Sequence, residues 1–143
     1  MRIYFLIITV LVITSSLLAQ GIDSNDCKRS DLSQSEMNSC AKQKSEQADK
    51  NLQEMLQELI TKIRDWKDQA EKLQDWQSVK EFELEEKAFL ESQRRWIDYR
   101  DAECKFIGLF YGGSERPMYV YSKRAELSSE RVKGLMQLLN RSE

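Results

Sequence analysis

The sequence predicts an all-α protein: a small antiparallel bundle of three to four helices behind an irregular N-terminal arm. Three observations lead there. The 143 residues include one Pro and five Gly, so from about Ser33 onward a run of helix-forming residues is barely interrupted. Apolar residues recur at three- and four-residue steps, which lays one apolar stripe along a helix with a polar back. Ser-x-x-Glu pairs, the signature of a reciprocally capped helix start, open two of the segments.

Residues 1–19 read as a signal peptide rather than as part of the fold. Arg2 supplies a short positive start, Ile3 to Ile13 is an unbroken apolar run, and Ala19 is a small residue at a cleavage point. The run is too short for a comfortable membrane span, and no stop-transfer segment follows. The remaining residues, 20–143, form one helical domain. Residues 20 to 32 are its irregular arm. Helix one starts behind Ser33, whose hydroxyl can accept the amide of Glu36 while that carboxylate reaches back. Its stripe runs through Met37, Ala41, Ala48, Leu52, Leu59 and Ile63 towards about Ala70. One helix from Ser33 to Phe110 would be too long for the domain, so the chain must fold back to bury its stripes. A bend near Asp75 to Gln77 is expected, with Ser78 and Glu81 capping helix two. Helix two ends at the aromatic run before Gly112-Gly113. Pro117 suits the first turn of helix three, which has a break near Ser128-Ser129.

Composition narrows the function. Lys and Arg number 22, Asp and Glu 24, and His is absent. Without Arg2 the net charge is about −3, which gives no basic face for nucleic acid. The absence of His removes the usual general base, the Ser-His and Cys-His nucleophile pairs and the commonest metal ligand. The many Glu and Asp of helix two have the spacing of a solvated face with i,i+4 partners, and nothing singles out a catalytic pair. The expectation is a non-enzyme with no cofactor and no metal, whose partner is a protein rather than nucleic acid or, after signal removal, a membrane.

Three Cys in an exported chain suggest one disulfide and one leftover thiol. Cys27 with Cys40 would pin the arm to helix one and leave Cys104 as a buried thiol. Cys40 with Cys104, across two helices, is the rival pairing. The stretch Gln93 to Cys104, QRRWIDYRDAEC, holds the other conspicuous residues. Trp96 and Ile97 fall on the inner stripe as core. Arg100 lies on that stripe too, and a buried guanidinium needs acids around it. Glu103, one turn on, and an acid of helix one are its expected partners, with Asp101 further outside. Trp96, Arg100, Asp101 and Glu103 are therefore expected to form a structural network that sets helix register; a polar binding site is the rival reading.

In order along the chain stand Cys27; Gln34, Glu36, Met37, Asn38, Cys40 and Ala41; Ala48, Asp49 and Leu52; Gln93, Arg94, Trp96, Tyr99, Arg100, Asp101 and Cys104; Gly112, Gly113 and Ser114; Pro117 and Met118; Leu127 and Arg131. This pattern resembles the LprI-like lysozyme inhibitor family over nearly all of residues 20–143. The family has a fourth Cys a few residues after Pro-Met, where Lys123 stands here. If it pairs first with second and third with fourth, Cys27–Cys40 survives and Cys104 loses its partner. The stretch between Leu59 and Leu90 is longer than usual for the family.

The resemblance implies a small periplasmic or secreted helical protein that binds and blocks lysozyme. A rigid, mildly acidic protein suits a cationic enzyme, because acids on a rim raise the rate of encounter. The expected partner surface is the turn Gly112, Gly113, Ser114 and Glu115 with Phe110 and Tyr111 beside it. The rival reading has these aromatics capping the bundle core. A cell-envelope interaction protein without effect on lysozyme is the alternative function.

Overall fold

The computed structural model describes residues 26–141. The expected signal peptide at 1–19 lies outside them. Three helices account for almost all of the rest: α1 (Gln34–Lys72), α2 (Trp76–Phe110) and α3 (Arg116–Arg141), with single 3-10 turns at Asp26–Lys28 and Gly113–Glu115. α1 and α2 run antiparallel as a hairpin, and α3 returns alongside both, parallel to α1.

The start of α1 follows from its sequence. Ser33 Oγ accepts from the Glu36 amide at 3.3 Å, and the Ser33 amide donates to Glu36 Oε2 at 2.7 Å. The start of α2 differs from expectation. Asp75, not Ser78, caps it: the Asp75 carboxylate accepts from the Ser78 amide at 3.2 Å and from its hydroxyl at 2.6 Å. Asp caps as well as Ser does, and Asp75 sits where the preceding turn delivers it. That turn closes α1 with a Schellman arrangement. The Gln74 amide donates to the Glu71 carbonyl at 3.0 Å and the Asp75 amide to the Ala70 carbonyl at 2.9 Å. Gln74 takes the left-handed position, with φ 57°.

α3 is one helix, without the expected break at Ser128-Ser129. Ser128 is fully buried, and its hydroxyl donates to Asp49 across the bundle at 2.7 Å. A serine so engaged does not compete for its own backbone, so the helix runs through.

The core is Leu52, Leu59 and Ile63 of α1 against Leu135 and Leu139 of α3, with Trp96 and Phe89 of α2 packed onto it. Small buried residues, Ala41, Ser45 and Ala48 on α1 and Ala125 and Ser128 on α3, let these two parallel helices lie close. α2 joins through a narrower strip centred on Gln93, Arg100 and Cys104. Ile97 falls off the edge of that strip and is exposed, contrary to its expected core place. Gly108 allows the close approach of α2 to α3, since a Cβ there would stand 3.1 Å from Val120 Cγ2.

α3 is shorter than the hairpin. Ser128 pairs with Asp49, 79 residues earlier, and the same offset puts the last residue of α3 level with position 62. Beyond it α1 continues for ten residues, roughly 15 Å of helix. This overhang has its own small core: Trp66 on Phe82 with ring centroids 6.0 Å apart, and buried Ala70 and Val79.

The Schellman turn yields a test. An L-residue in the left-handed region costs about 1 kcal/mol that glycine does not incur. Gln74→Gly is expected to raise stability by about 1 kcal/mol in urea denaturation, with a higher midpoint at unchanged slope. A lower midpoint would mean that Gln74 is not left-handed in solution.

Candidate functional site

Two places concentrate unusual side chains: the polar centre of the bundle and the elbow between α2 and α3. The centre is built on Asp49, half-buried on α1. Its Oδ1 accepts from Arg100 Nη1 of α2 at 3.1 Å and from Ser128 Oγ of α3 at 2.7 Å, and its Oδ2 from Arg124 Nε of α3 at 2.7 Å. Arg100 is buried and also donates to Asp101 through Nε and Nη2, both at 3.1 Å. Arg124 lies 3.7 Å from the same Asp101 oxygen. Two carboxylates thus meet two guanidiniums, so the buried charge is balanced and its donors are used.

Trp96 belongs to this centre. The guanidiniums of Arg100 and Arg131 lie 5.3 and 5.9 Å from its ring centroid, a cation–π arrangement with both. Arg131 reaches across from α3 to Gln93 Oε1 at 3.1 Å and Ser92 Oγ at 3.3 Å. Burial pushes its pKa below the ordinary arginine value. Of the expected network, Trp96, Arg100 and Asp101 come together. Glu103 makes no ion pair with Arg100 among the described residues; it lies instead near Lys123, on the α3 side. The helix-one acid is Asp49. On the outer face, hydrogen bonds from Arg94 and then Arg95 hold the Glu91 carboxyl down at about 2, as fits a solvated ion cluster.

Asp49 takes three donors from the two other helices, and its setting is that of a tie between helices. Arg124 and Ser128 escaped the sequence reading. On a helix surface an Arg or a Ser looks solvated, and only the position of α1 reveals what they reach.

The elbow is held by Asn38 of α1. Its Nδ2 donates to the Ser114 carbonyl at 2.9 Å, and its Oδ1 accepts from the Met118 amide at 3.1 Å and Gln34 Nε2 at 3.0 Å. Asn38 therefore caps the start of α3 from outside the helix, a role invisible in local sequence. Gly113 has φ 68°, the left-handed position that only glycine takes cheaply. Tyr111 stacks on Tyr119 with centroids 3.8 Å apart, and Phe110 meets Tyr111 edge-on at 5.2 Å. The tyrosine pair closes the elbow and is half-buried. Phe110 is 70% exposed and Leu109 74%. So the aromatics divide: Tyr111 and Tyr119 cap the bundle, while Phe110 projects into solvent.

Cys27 and Cys40 are bridged, with Cα atoms 5.6 Å apart. The bridge lies at the edge of an open groove of about 770 Å³ whose walls include Met37, Ala41, Ala48 and Met118. Residues 110–115 of the elbow do not line it. Cys104 is an unpaired, buried thiol, and burial raises its pKa.

The family model described as "Lysozyme inhibitor LprI" matches residues 24–135. The chain belongs to this family. An uncharacterized protein of Rhizobium meliloti (strain 1021) is 32% identical over 119 residues, which cover 82% of this chain and 81% of the relative. No solved structure matches. The LprI match takes in α1, α2, α3 as far as Leu135, the disulfide, the Asp49 network and the elbow.

Two predictions follow from the centre. Asp49→Ala strands Arg100 and Arg124 and is expected to cost about 3 kcal/mol in chemical denaturation, the usual penalty for breaking one side of a buried pair. A loss below about 1 kcal/mol, the level of an exposed pair, would show that the network is solvated. Cys104 should resist alkylation at neutral pH in the folded protein and react fully once denatured, because a raised thiol pKa and burial both suppress the thiolate. Full native-state reaction within minutes would contradict the buried placement.

Proposed function

We propose that the mature protein, residues 20–143, is exported to the periplasm or beyond and inhibits lysozyme by direct contact, without catalysis and without a cofactor. The LprI match over residues 24–135 carries this reading. The signal-peptide pattern of residues 1–19 and the Cys27–Cys40 bridge support export, since disulfides persist in oxidising compartments. Among the described residues no helix is long and apolar enough to cross a membrane.

The elbow is the first contact surface in this reading. Phe110 presents a large apolar side chain at the end of α2, and Gly112, Gly113, Ser114 and Glu115 form the turn beside it, which Asn38 holds at Ser114. A rigid exposed aromatic loses little entropy when it enters a pocket on the partner.

The test is the activity of a c-type lysozyme on cell-wall substrate, with and without the purified mature protein under oxidising conditions. Dose-dependent loss near one-to-one stoichiometry is expected. Phe110→Ala should weaken inhibition by about 1–2 kcal/mol, roughly tenfold, if the elbow is an anchor. Undiminished activity of c-, g- and i-type lysozymes would defeat the inhibitor reading and leave an envelope protein with another partner.

A further inference from the structure

Between α2 and α3 one partly buried charge stands without a counterpart. Arg100 and Arg124 both meet the carboxylates of Asp49 and Asp101. Arg131, half-buried on α3, has no such partner. Among the described residues it reaches Gln93 Oε1, Ser92 Oγ and the face of Trp96, all of them neutral. A guanidinium taken partly out of water with no acid beside it is costly to keep.

A second observation marks the same place. Gln93 is only 7% exposed, and its Nε2 is the only buried side-chain nitrogen or oxygen among the described residues without a hydrogen-bond partner. Turning the amide over would not mend this. Arg131 Nε donates to Oε1 at 3.1 Å, and a flipped amide would set donor against donor. Nε2 is bonded to the same carbon as that oxygen, so it stands close to Arg131. The guanidinium spends Nε on Gln93 and one N–H of Nη2 on Ser92. Its outer end, Nη1 with the second N–H of Nη2, is the fork that a carboxylate meets with both oxygens. Ser92 is exposed, so the cluster is reached from the surface.

We propose that Ser92, Gln93 and Arg131 form a binding site for one carboxylate group, which takes up the donors that Arg131 and Gln93 leave open. The charge to be matched is a single positive one, which suits a carboxylate monoanion better than a phosphate dianion. The carboxylate belongs either to a small molecule or to an acidic side chain of a protein partner, and the experiment separates these sources. The site itself does not depend on the inhibitor reading.

The experiment is a titration of the full mature protein in which sodium acetate replaces sodium chloride at fixed ionic strength. Nitrogen–proton NMR follows the Trp96 indole and the Arg131 Nε–H. Both signals are expected to shift and saturate, with no response to acetamide, which has the shape without the charge. Arg131→Lys keeps the charge but loses the fork, and should weaken acetate roughly tenfold. Gln93→Glu supplies a carboxylate from within and should abolish the acetate response in a protein that still melts cooperatively. Absent or non-saturating shifts in the wild type would overturn the proposal, whatever the variants do. Equal acetate binding by the wild type and a folded Arg131→Lys or Gln93→Glu variant would also overturn it. Given acetate binding, the source is read from the lysozyme assay. Weaker inhibition by Arg131→Lys, with acetate competing in the wild type, assigns the carboxylate to that partner. Unchanged inhibition, or none by the wild type, assigns it to a small molecule, and the last of these defeats the inhibitor reading alone.

Discussion

Among the described residues, Asp49 is the one charged group that ties all three helices together. It sits on α1, takes Arg100 from α2, and takes Arg124 and Ser128 from α3. Apolar packing alone would leave these long helices free to slide by a turn, because a stripe of Leu and Ile reads much the same one turn on. A carboxylate that must meet two guanidiniums has one acceptable register. Shifting α3 by a turn would strand Arg124, and shifting α2 would bury Arg100 against hydrocarbon. The network contributes specificity more than net stability, since desolvation offsets much of the Coulombic gain.

That register has consequences at both ends. It sets Asn38 beside Ser114 and Met118, so the elbow is capped from α1 rather than by its own residues. At the other end it places the last described turn of α3 level with position 62 of α1. The disulfide acts on a different part, tying the arm to the first turns of α1. The arm, the elbow and the apex of the α1–α2 hairpin are thus positioned by separate devices along one rigid body. Exposed apolar residues stand at the elbow and the apex, where such fixing gives a side chain a defined direction, and also along α2 and α3, at Leu84, Leu90, Ile97, Met136 and Leu138.

Much of this was legible in the sequence. Helix class, the Ser33 cap, the Gly-Gly stop and the place of the bend follow from local chemistry, which needs no partner to be read. The helical stripe pointed to Arg100 as a centre of charge, and the odd Cys count together with the family pattern to the Cys pairing. What failed was what depends on a second element. Asp75 displaced Ser78 as a cap because the turn before it fixed the geometry. Ser128-Ser129 looked like a break because the acceptor that occupies Ser128 lies on α1. Ile97 looked buried because a stripe drawn from one helix does not show how narrow its contact with the others is. Glu103 was the nearest acid to Arg100 in sequence, yet Arg100 found Asp49, 51 residues away.

The apex illustrates the same limit from the opposite side. Leu73 and Trp76 continue the apolar rhythm of their helices and look like core on a helical wheel. They are exposed because the described part of α3 reaches only the level of position 62, which a helical wheel of α1 or α2 cannot show.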